Sequence, residues 1–569
     1  MTAPWIMPTE ATRSLIMVII FISMPGDKNY TDVTIHWYRH GLRLHDNPAL
    51  LEGIKNCGAF YPVYILDGKV AGTETAGYNR WRFLLESLED LDRSFKKLGG
   101  QLYVFKGDPV DIFRKLFSEW NVTKLTFEQD PEPIWRERDE LVKNLCIQRK
   151  VTCIEMVSHT LWDPRLISKK NGGVPPVTYM LFNQVARSLG PPSHPMPLPD
   201  FQGISLPAKD NNGFRVPSLE HLGIKPECDE QNKRVNKWEG GETVALTLFE
   251  TRRKIEEKAF EANKVLPNQS QVDLIGPPVS MSAHLRFGCL SIRTLYWGIV
   301  DTYKKVKSEE APLSATAQLM WREYFYTMSL NNIKYNKVEG NPICLNVPWH
   351  TDDEKLNRWL YGQTGFPWID AIMNQLRHEG WIHQVARHAT ACFLTRGDLW
   401  LSWEKGLEVF YKYLLDADWS VCAGNWMWVA SSAFEDVLQC PKCFCPVRYG
   451  IRMDPKGAYI RRYVPVLKEM PLKYLFSPWT APLLVQENAQ CIVGKDYPKP
   501  IVDHYKAAKE NKKYMDEVKE LLKREKDKPH CAPCNQAEVG QFAFLPEYED
   551  PQIKCLASET CHALKIDTD

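Results

Sequence analysis

The feature that most constrains this chain is a regular alternation of short apolar runs with helix-length segments between residues 33 and 154. Five runs with the length and composition of β-strands lie at residues 33–38, 60–66, 102–105, 124–127 and 151–154. The segments between them carry helical signals, such as Asn47-Pro48 as a helix start and helical apolar spacing over residues 81–98. This alternation predicts an α/β domain built on a doubly wound parallel sheet.

The rest of the sequence divides into further parts. Residues 33–162 hold the predicted α/β domain, and the Pro-, Gly- and Asn-rich residues 163–240 form a predicted connector. Helical periodicity over residues 241–528 predicts an all-α domain, and residues 529–569 form a short C-terminal tail. No GxGxxG or GxxxxGK[ST] motif follows the first strand, so the sheet lacks the common nucleotide-binding signatures.

The N-terminus carries an apolar run, residues 15–22, within a predicted extension of residues 1–32. The run is far shorter than the roughly 20 residues that span a bilayer, and no small-residue cleavage site follows it. We interpret the extension as lying outside the fold, with a targeting segment as the alternative. No other run approaches membrane-spanning length, so we expect no membrane association.

The charge and cysteine content exclude some classes of protein. Lys plus Arg (71) nearly equals Asp plus Glu (70), which excludes a chain-wide basic field for nucleic acid. The 16 Cys are irregularly spaced, as in intracellular proteins with reduced thiols. The sequence also has two CxxC pairs, Cys440 with Cys443 and Cys531 with Cys534. The alternative to reduced thiols is a zinc site formed by these pairs, with His530 as a further ligand. Because about ninety residues separate the pairs, we predict no metal site.

Three segments of the predicted helical domain concentrate chemically capable side chains. Ser280 and Ser282 precede a short helical stretch, which suits either an anion site or an ordinary helix cap. Gln318 and Arg322 are four apart and share a helix face, which suits a flat heteroaromatic ligand or a simple surface pair.

The third segment runs from residue 381 to residue 426. It places Asp416 and Asp418 among apolar residues, where buried carboxylates need counter-ions, and Arg387 is the expected one. The alternative is that both Asp residues cap a helix.

Four long motifs in this region resemble the flavin domain of the photolyase/cryptochrome family: WREYFYT (321–327), GQTGFPWID (362–370), GWIHQVARHATACFLTRGDLW (380–400) and LLDADWSVCAGNWMW (414–428). With the α/β domain, the resemblance covers about residues 33–525. It implies FAD as the cofactor, bound in a U shape inside the helical domain, and leaves an antenna chromophore open. The implied FAD-binding residues are Ser280, Ser282, Gln318, Arg322, Gln384, Arg387, Asp416, Ala417, Asp418, Cys422 and Asn425. Pro277-Pro278-Val279 departs from the Thr and Ser residues that many relatives have before Ser280.

Two of these positions bear on the subfamily. The resemblance places Cys422 opposite flavin N5, where light-sensing insect-type cryptochromes have Cys, plant cryptochromes Asp, and repair enzymes and vertebrate-type cryptochromes Asn. A thiol, with a reference pKa of about 8.5, is a poor acid, so we expect the illuminated flavin to stay negatively charged. Gln384 stands where (6-4) photolyases, and often insect-type relatives, carry His; an amide cannot replace that acid. His383 and His388 remain nearby as alternative acids.

Four tryptophans match the electron-transfer chain of the family, in the order Trp426, Trp403, Trp349 and Trp400 from the flavin to the surface. Trp400 and Trp403 are three apart, which predicts that they share one side of a helix. Core packing is the alternative for any tryptophan, and we adopt it for Trp381, Trp419 and Trp428.

The tail carries the last clue. Phe542 and Phe544 resemble the aromatic tail segment of insect-type cryptochromes, which fills the groove that holds a damaged base in a photolyase. A solvent-exposed linker with two Phe is the alternative. The resemblance implies that light loosens this tail and exposes a partner surface.

The sequence therefore predicts a blue-light receptor of the insect-like type that resets a circadian clock, rather than an enzyme. The implied partners are a clock protein resembling Timeless and a ubiquitin ligase, in cytoplasm and nucleus, with no productive binding of DNA lesions. The alternatives are a (6-4) DNA photolyase and a light-independent transcriptional repressor of the vertebrate cryptochrome type.

Overall fold

A computed structural model describes residues 32–68, 75–208, 214–228, 238–263, 273–275, 280–433 and 445–524 of the chain. Several predictions concern segments outside the described residues: residues 1–31 of the extension, Pro277-Pro278-Val279, Cys440, Cys443, His530, Cys531, Cys534, and the tail with Phe542 and Phe544.

The N-terminal part is the predicted parallel sheet. Its strands are β1 (Asp32–Tyr38), β2 (Cys57–Leu66), β3 (Tyr103–Lys106), β4 (Lys124–Glu128) and β5 (Thr152–Met156). They lie in the order β3-β2-β1-β4-β5, and every neighbouring pair is parallel. The change of direction on either side of β1 is the doubly wound arrangement, which confirms the predicted fold class.

Helices occupy the segments between these strands, as predicted. They are α1 (Pro48–Ile54), α2 (Tyr78–Lys97), α3 (Pro109–Glu119) and α4 (Arg136–Arg149). The predicted cap at α1 is present: the Asn47 side chain accepts from the Leu50 amide, and Pro48 occupies the first turn.

The two faces of the sheet pack against different cores. On β1, Ile35 and Trp37 point into a cluster with Phe113 of α3 and Val142 of α4. Tyr38 belongs instead to a second cluster, shared with α2, which continues without a break into the helical domain. The α/β domain is thus built into the helical domain through one continuous core.

The predicted connector contains two helices, α5 (Pro164–Lys170) and α6 (Tyr179–Ser188). Asp163 and Thr178 cap them by accepting hydrogen bonds from backbone amides. Both helices pack against a helix of the C-terminal domain, so this segment belongs to the folded body.

The described residues of the C-terminal part form helices joined by loops, without a strand among the named elements, as predicted. Its α-helices are α7 (Glu242–Glu261), α8 (Ser282–Arg286), α9 (Ile292–Lys307), α10 (Leu313–Ser329), α11 (Asp353–Leu360), α12 (Pro367–Glu379), α13 (Gln384–Cys392), α14 (Trp403–Tyr413), α15 (Trp419–Val429), α16 (Pro446–Met453), α17 (Ala458–Tyr463), α18 (Leu472–Leu475), α19 (Leu483–Asn488) and α20 (His504–Arg524). Helices α10, α13, α14 and α15 surround the site described next.

Candidate functional site

A cavity of about 340 Å³ lies inside the helical domain, within the range of small-molecule sites. Ten of the eleven predicted FAD-binding residues line it: Ser280, Ser282, Gln318, Arg322, Gln384, Arg387, Asp416, Asp418, Cys422 and Asn425. The first and the last of these residues are more than a hundred positions apart in the sequence. Ala417 does not line the cavity, but its carbonyl accepts from Arg80 and Arg286 at 2.9 and 3.0 Å.

One pair of charges holds a wall of this cavity. The Arg387 guanidinium donates from both Nη atoms to the two carboxylate oxygens of Asp416, at 3.0 and 2.8 Å. Burial alone would raise the pKa of Asp416, but the Arg387 charge outweighs burial and holds that pKa below its usual value. Asp416 is therefore ionised, and the expected counter-ion is in place.

Asp418 has a different partner. It occupies the N-cap position of α15 but makes no side-chain capping bond, so capping does not explain its carboxylate. Its Oδ1 lies 3.0 Å from Nε of Arg286, a buried residue of α8. Arg286 was not predicted as part of the site, since nothing in its local sequence distinguishes it from a structural arginine.

Arg322 is fixed from the α/β side. It donates to the backbone carbonyl and to Nε2 of His159, both at 2.9 Å, and its guanidinium lies 4.7 Å from the Tyr326 ring centroid. Gln318 lies one turn earlier on α10, at the exposed mouth of the cavity. The predicted shared face of Gln318 and Arg322 is thus the face that lines the site.

Ser280 and Ser282 lie at the beginning of α8, with their hydroxyl oxygens 3.2 Å apart. Asn425 is on α15 and uses its Nδ2 group to donate to the Val421 carbonyl at 2.8 Å, which leaves its amide oxygen for other contacts.

Cys422 lies on the first turns of α15, facing the cavity. Burial, with the negative charge of Asp416 as a second cause, raises the pKa of its thiol to about 12. The thiol is therefore neutral at physiological pH and holds its proton firmly.

The imidazoles near Gln384 carry no charge at neutral pH. Gln384 donates from Nε2 to Nε2 of His388 at 2.8 Å. Burial is the main cause that lowers the pKa of His388 to about 3 and that of His383 to about 4. Neither residue can act as an imidazolium acid near pH 7.

The cavity wall contains polar groups that suit a flat heterocycle with donors and acceptors. Nε of Arg322 and Nε1 of Trp321 are buried donors without a hydrogen-bond partner among the described residues. Asp418 Oδ1 is a buried acceptor in the same condition, because its approach to Arg286 lacks hydrogen-bond geometry. These groups can bind a ligand with complementary polar edges. The predicted residues therefore fit FAD.

Aromatic residues form part of the apolar wall, beside aliphatic ones such as Leu285 and Ile299. Trp381 and Trp428, interpreted above as core residues, are buried and also line the cavity, together with Trp321, Phe325 and Phe410. Their ring character was visible in the sequence, but not the side of the helix that they occupy.

The predicted electron-transfer tryptophans begin at this wall. Trp426 lines the cavity with 2% exposure, and its ring lies against Gly406, one turn from Trp403 on α14. Trp349 packs against both the main core, which contains Trp403, and a small cluster that contains Trp400. The ring centroids of Trp349 and Trp400 are 4.7 Å apart.

Two details of the prediction for Trp400 are wrong. Helix α14 begins at Trp403, so Trp400 lies in the preceding loop rather than on one side of a shared helix. Trp400 is also 2% exposed, whereas Trp349 is half-buried, because α20 covers Trp400. Trp400 is thus not the surface residue of the series.

The described residues contain neither a cluster of metal ligands nor a helix suited to span a membrane. No group of three or more His, Cys, Asp or Glu in that part of the chain is arranged to hold a metal ion. None of the helices described combines the length and apolar character needed to cross a bilayer.

Comparison with known families agrees with this site. Residues 34–200 match the family described as DNA photolyase, and residues 315–517 match the family described as FAD binding domain of DNA photolyase. In solved structures, a bacterial class III photolyase from Agrobacterium tumefaciens is similar with a TM-score of 0.74 and 28% identity, covering 88% of this chain and 100% of that one. A Synechocystis cryptochrome shares the fold, with a TM-score of 0.73 at 23% identity over 86% of this chain and 100% of that one.

The sequence relatives include proteins named cryptochrome-1. That of Aedes aegypti is 49% identical over 539 residues, covering 90% of this chain and 98% of the relative. That of Anopheles gambiae is 48% identical over 537 residues with the same coverage, and that of Mus musculus 49% identical over 496 residues, 86% of this chain and 80% of the relative. With nearly half of its residues shared with these cryptochromes, and with an FAD-binding domain over residues 315–517, the chain belongs to the photolyase/cryptochrome family.

Proposed function

We propose that this protein is a blue-light photoreceptor of the insect-like cryptochrome type, which signals to protein partners after electron transfer to its FAD. The observation that carries the proposal is the series of tryptophans that begins in the cavity wall at Trp426 and continues through Trp403 to the Trp349–Trp400 pair. Bound FAD supplies the absorption of blue light and the acceptor for one electron.

The protein supplies that electron and slows its return. Trp426 is buried against Phe410 at 4.8 Å between ring centroids, so its indole is fixed beside the cavity and shielded from water. The Trp349–Trp400 ring pair then carries the positive charge away from the site. Separation of the two charges by several rings slows their recombination.

Cys422 favours a light sensor over a vertebrate-type repressor or a repair enzyme. Because its thiol keeps its proton up to a pKa of about 12, it does not supply one to a neighbouring flavin at neutral pH. An FAD bound in this cavity would therefore gain no proton from Cys422, and Asp416 and Arg387 would be the charged residues around it. In the family resemblance, Cys at this position marks the light-sensing insect type, whereas vertebrate-type repressors and repair enzymes have Asn.

The same pocket argues against repair of (6-4) lesions. That reaction needs an acid at position 384, where this chain has an amide, and the neighbouring His383 and His388 are neutral. We therefore propose that no repair reaction takes place, although the fold is shared with photolyases.

The output proposed here is release of the C-terminal tail with Phe542 and Phe544, which resets a circadian clock in cytoplasm and nucleus. The partners proposed are a clock protein resembling Timeless and a ubiquitin ligase that removes the illuminated receptor. Light-dependent loss of the protein in cells would support this output; equal loss in darkness would favour the light-independent repressor.

The decisive experiment is bleaching of the purified, FAD-loaded protein under blue light. W426F should bind FAD and lose most or all of the bleaching, because Phe is much harder to oxidise than Trp. W419F is the matched control: Trp419 is buried on the same helix but does not line the cavity, so it should bleach like wild type. Bleaching of W426F at the wild-type rate would refute the proposal, and light-driven repair of a (6-4) lesion would identify an enzyme instead.

A further inference from the structure

Trp400 is held in an unusual conformation. Its φ of +54° lies in the left-handed region, which bulky residues rarely adopt. Three hydrogen bonds hold it there: its amide donates to Thr395 at 2.8 Å, its carbonyl accepts from His350 at 2.9 Å, and its Nε1 donates to the Pro348 carbonyl at 3.0 Å. The loop thus fixes the indole in one direction.

That direction is toward α20, the last described helix. Met515 and Val518 of α20 pack on Trp400 in a small cluster, and the Tyr514 ring lies 5.2 Å from the indole, centroid to centroid. As a result Trp400 is 2% exposed and has no direct path to water. A positive charge that reaches Trp400 lies beside the ring of Tyr514.

Tyr514 is built to give up an electron together with a proton. It is half-buried, and its hydroxyl donates to Oε1 of the exposed Glu510 at 3.1 Å, one turn earlier on α20. This hydrogen bond to a carboxylate raises the pKa of the phenol, so Tyr514 is un-ionised at neutral pH. A phenol is oxidised readily only if its proton leaves at the same time, and Glu510 is in position to accept it.

We propose that Tyr514 is the terminal electron donor of the tryptophan series, with Glu510 as its proton acceptor. The inference rests on the proposed function, since it needs Trp400 to be oxidised in the light. One electron passes from Tyr514 to the Trp400 radical cation, which returns to a neutral indole. The phenol O–H bond breaks, its proton goes to the Glu510 carboxylate, and a neutral tyrosyl radical remains on Tyr514. The surface end of the path is therefore on α20, at the helix that leads into the C-terminal tail.

The test is electron paramagnetic resonance of the full-length, FAD-loaded protein frozen during blue illumination, with ring-deuterated tyrosine to identify tyrosyl signals by their narrowing. Wild type should show a tyrosyl radical, and Y514F should lose it and show a tryptophanyl radical instead. Y505F is the matched control, because Tyr505 is exposed on the same helix and lies outside the cluster that contains Trp400, and it should keep the wild-type signal. E510Q keeps the ring but loses the proton acceptor, so its tyrosyl yield should fall.

The outcomes separate the two proposals. A tyrosyl signal that survives in Y514F, or tryptophanyl radicals alone in wild type, would overturn the role of Tyr514 and leave the photoreceptor proposal standing. No protein radical at all in illuminated wild type would overturn both. FAD content and the dark spectrum provide the folding check, and Y514F should match wild type in both.

Discussion

The position of Trp426 can be tested by steric means, through Gly406→Ala. A Cβ added at Gly406 would lie 2.2 Å from Cη2 and 2.5 Å from Cζ3 of Trp426, and 2.6 Å from Cδ2 of Leu394. Since carbon atoms in contact normally lie about 3.5–4.0 Å apart, the indole must move by about 1.3 Å or more. Phe410 packs on one side of the ring, at 4.8 Å between centroids, so the free direction is into the cavity.

The magnitude follows from two opposing effects. Overpacking a buried site costs about 1–3 kcal/mol, whereas replacing Gly by Ala inside a helix gains about 1 kcal/mol. We therefore expect G406A to lower the free energy of unfolding by roughly 0–2 kcal/mol. The effect on the site is larger, because an indole displaced into the cavity takes the space of the flavin.

The assay measures FAD bound per chain, the bleaching rate in blue light, and the unfolding midpoint in urea. Gly298→Ala is the matched control, because its added Cβ would lie 2.3 Å from Cζ of Phe249, a residue that does not line the cavity. Both variants should be similarly destabilised, but only G406A should lose FAD and bleaching. If G406A bound FAD and bleached like G298A, the placement of Trp426 in the cavity wall would be refuted.

Three further predictions concern charged groups. Asp416→Asn leaves the partly buried Arg387 without its counter-ion, which should cost about 1–3 kcal/mol of unfolding free energy; an Asn variant as stable as wild type in urea would contradict the ion pair. Burial lowers the pKa of His504, but the adjacent Asp398 outweighs this and raises it to about 10, so the stabilisation by this pair is full below about pH 6.5 and lost as pH rises through about 10. Urea unfolding from pH 6 to 10.5 should therefore show a steeper alkaline loss for wild type than for H504Q, and parallel curves would refute it. Arg80→Met should weaken FAD binding without touching the cavity, and equal FAD affinity in wild type and the variant would show that Arg80 does not position the site.

Much of the fold could be predicted because its signals are local. The five strands and the intervening helices are marked by periodicity and caps within a few residues, as at Asn47. The ends of strands differ by up to three residues from the prediction, since pairing with neighbours, not composition, decides where a strand stops: β2 begins at Cys57 because Ser205 and the β1 register extend it.

Residues of the candidate site were predictable only where the two residues of a pair share a motif or a helix face. Gln318 and Arg322 are one turn apart, and Arg387 lies within a long motif next to the expected carboxylates. Arg80 and Arg286 escaped because each contacts Ala417 across more than a hundred residues of sequence, which no local pattern encodes.

The burial of Trp400 was missed for the same reason. Its cover comes from Met515 and Val518 of α20, more than a hundred residues later in the sequence. Exposure is a property of the assembled fold, so the order of a series of residues along a chain does not fix which of them reaches the solvent.

The long-range contacts also explain why the α/β domain matters to a site it does not line. Arg80 of α2 donates to the Tyr411 and Ala417 carbonyls at 2.7 and 2.9 Å, and burial lowers its pKa to about 10, so holding it there as a cation is costly. His159, after β5, fixes Arg322 in the same way. A buried cation that donates to backbone carbonyls of another domain contributes little to its own domain's core. Its contribution is geometric: it sets the loop between α14 and α15, and with it the direction of Asp416 and Asp418. The sheet therefore acts as the support that orients the charged wall of the flavin site, whatever else its own surface binds.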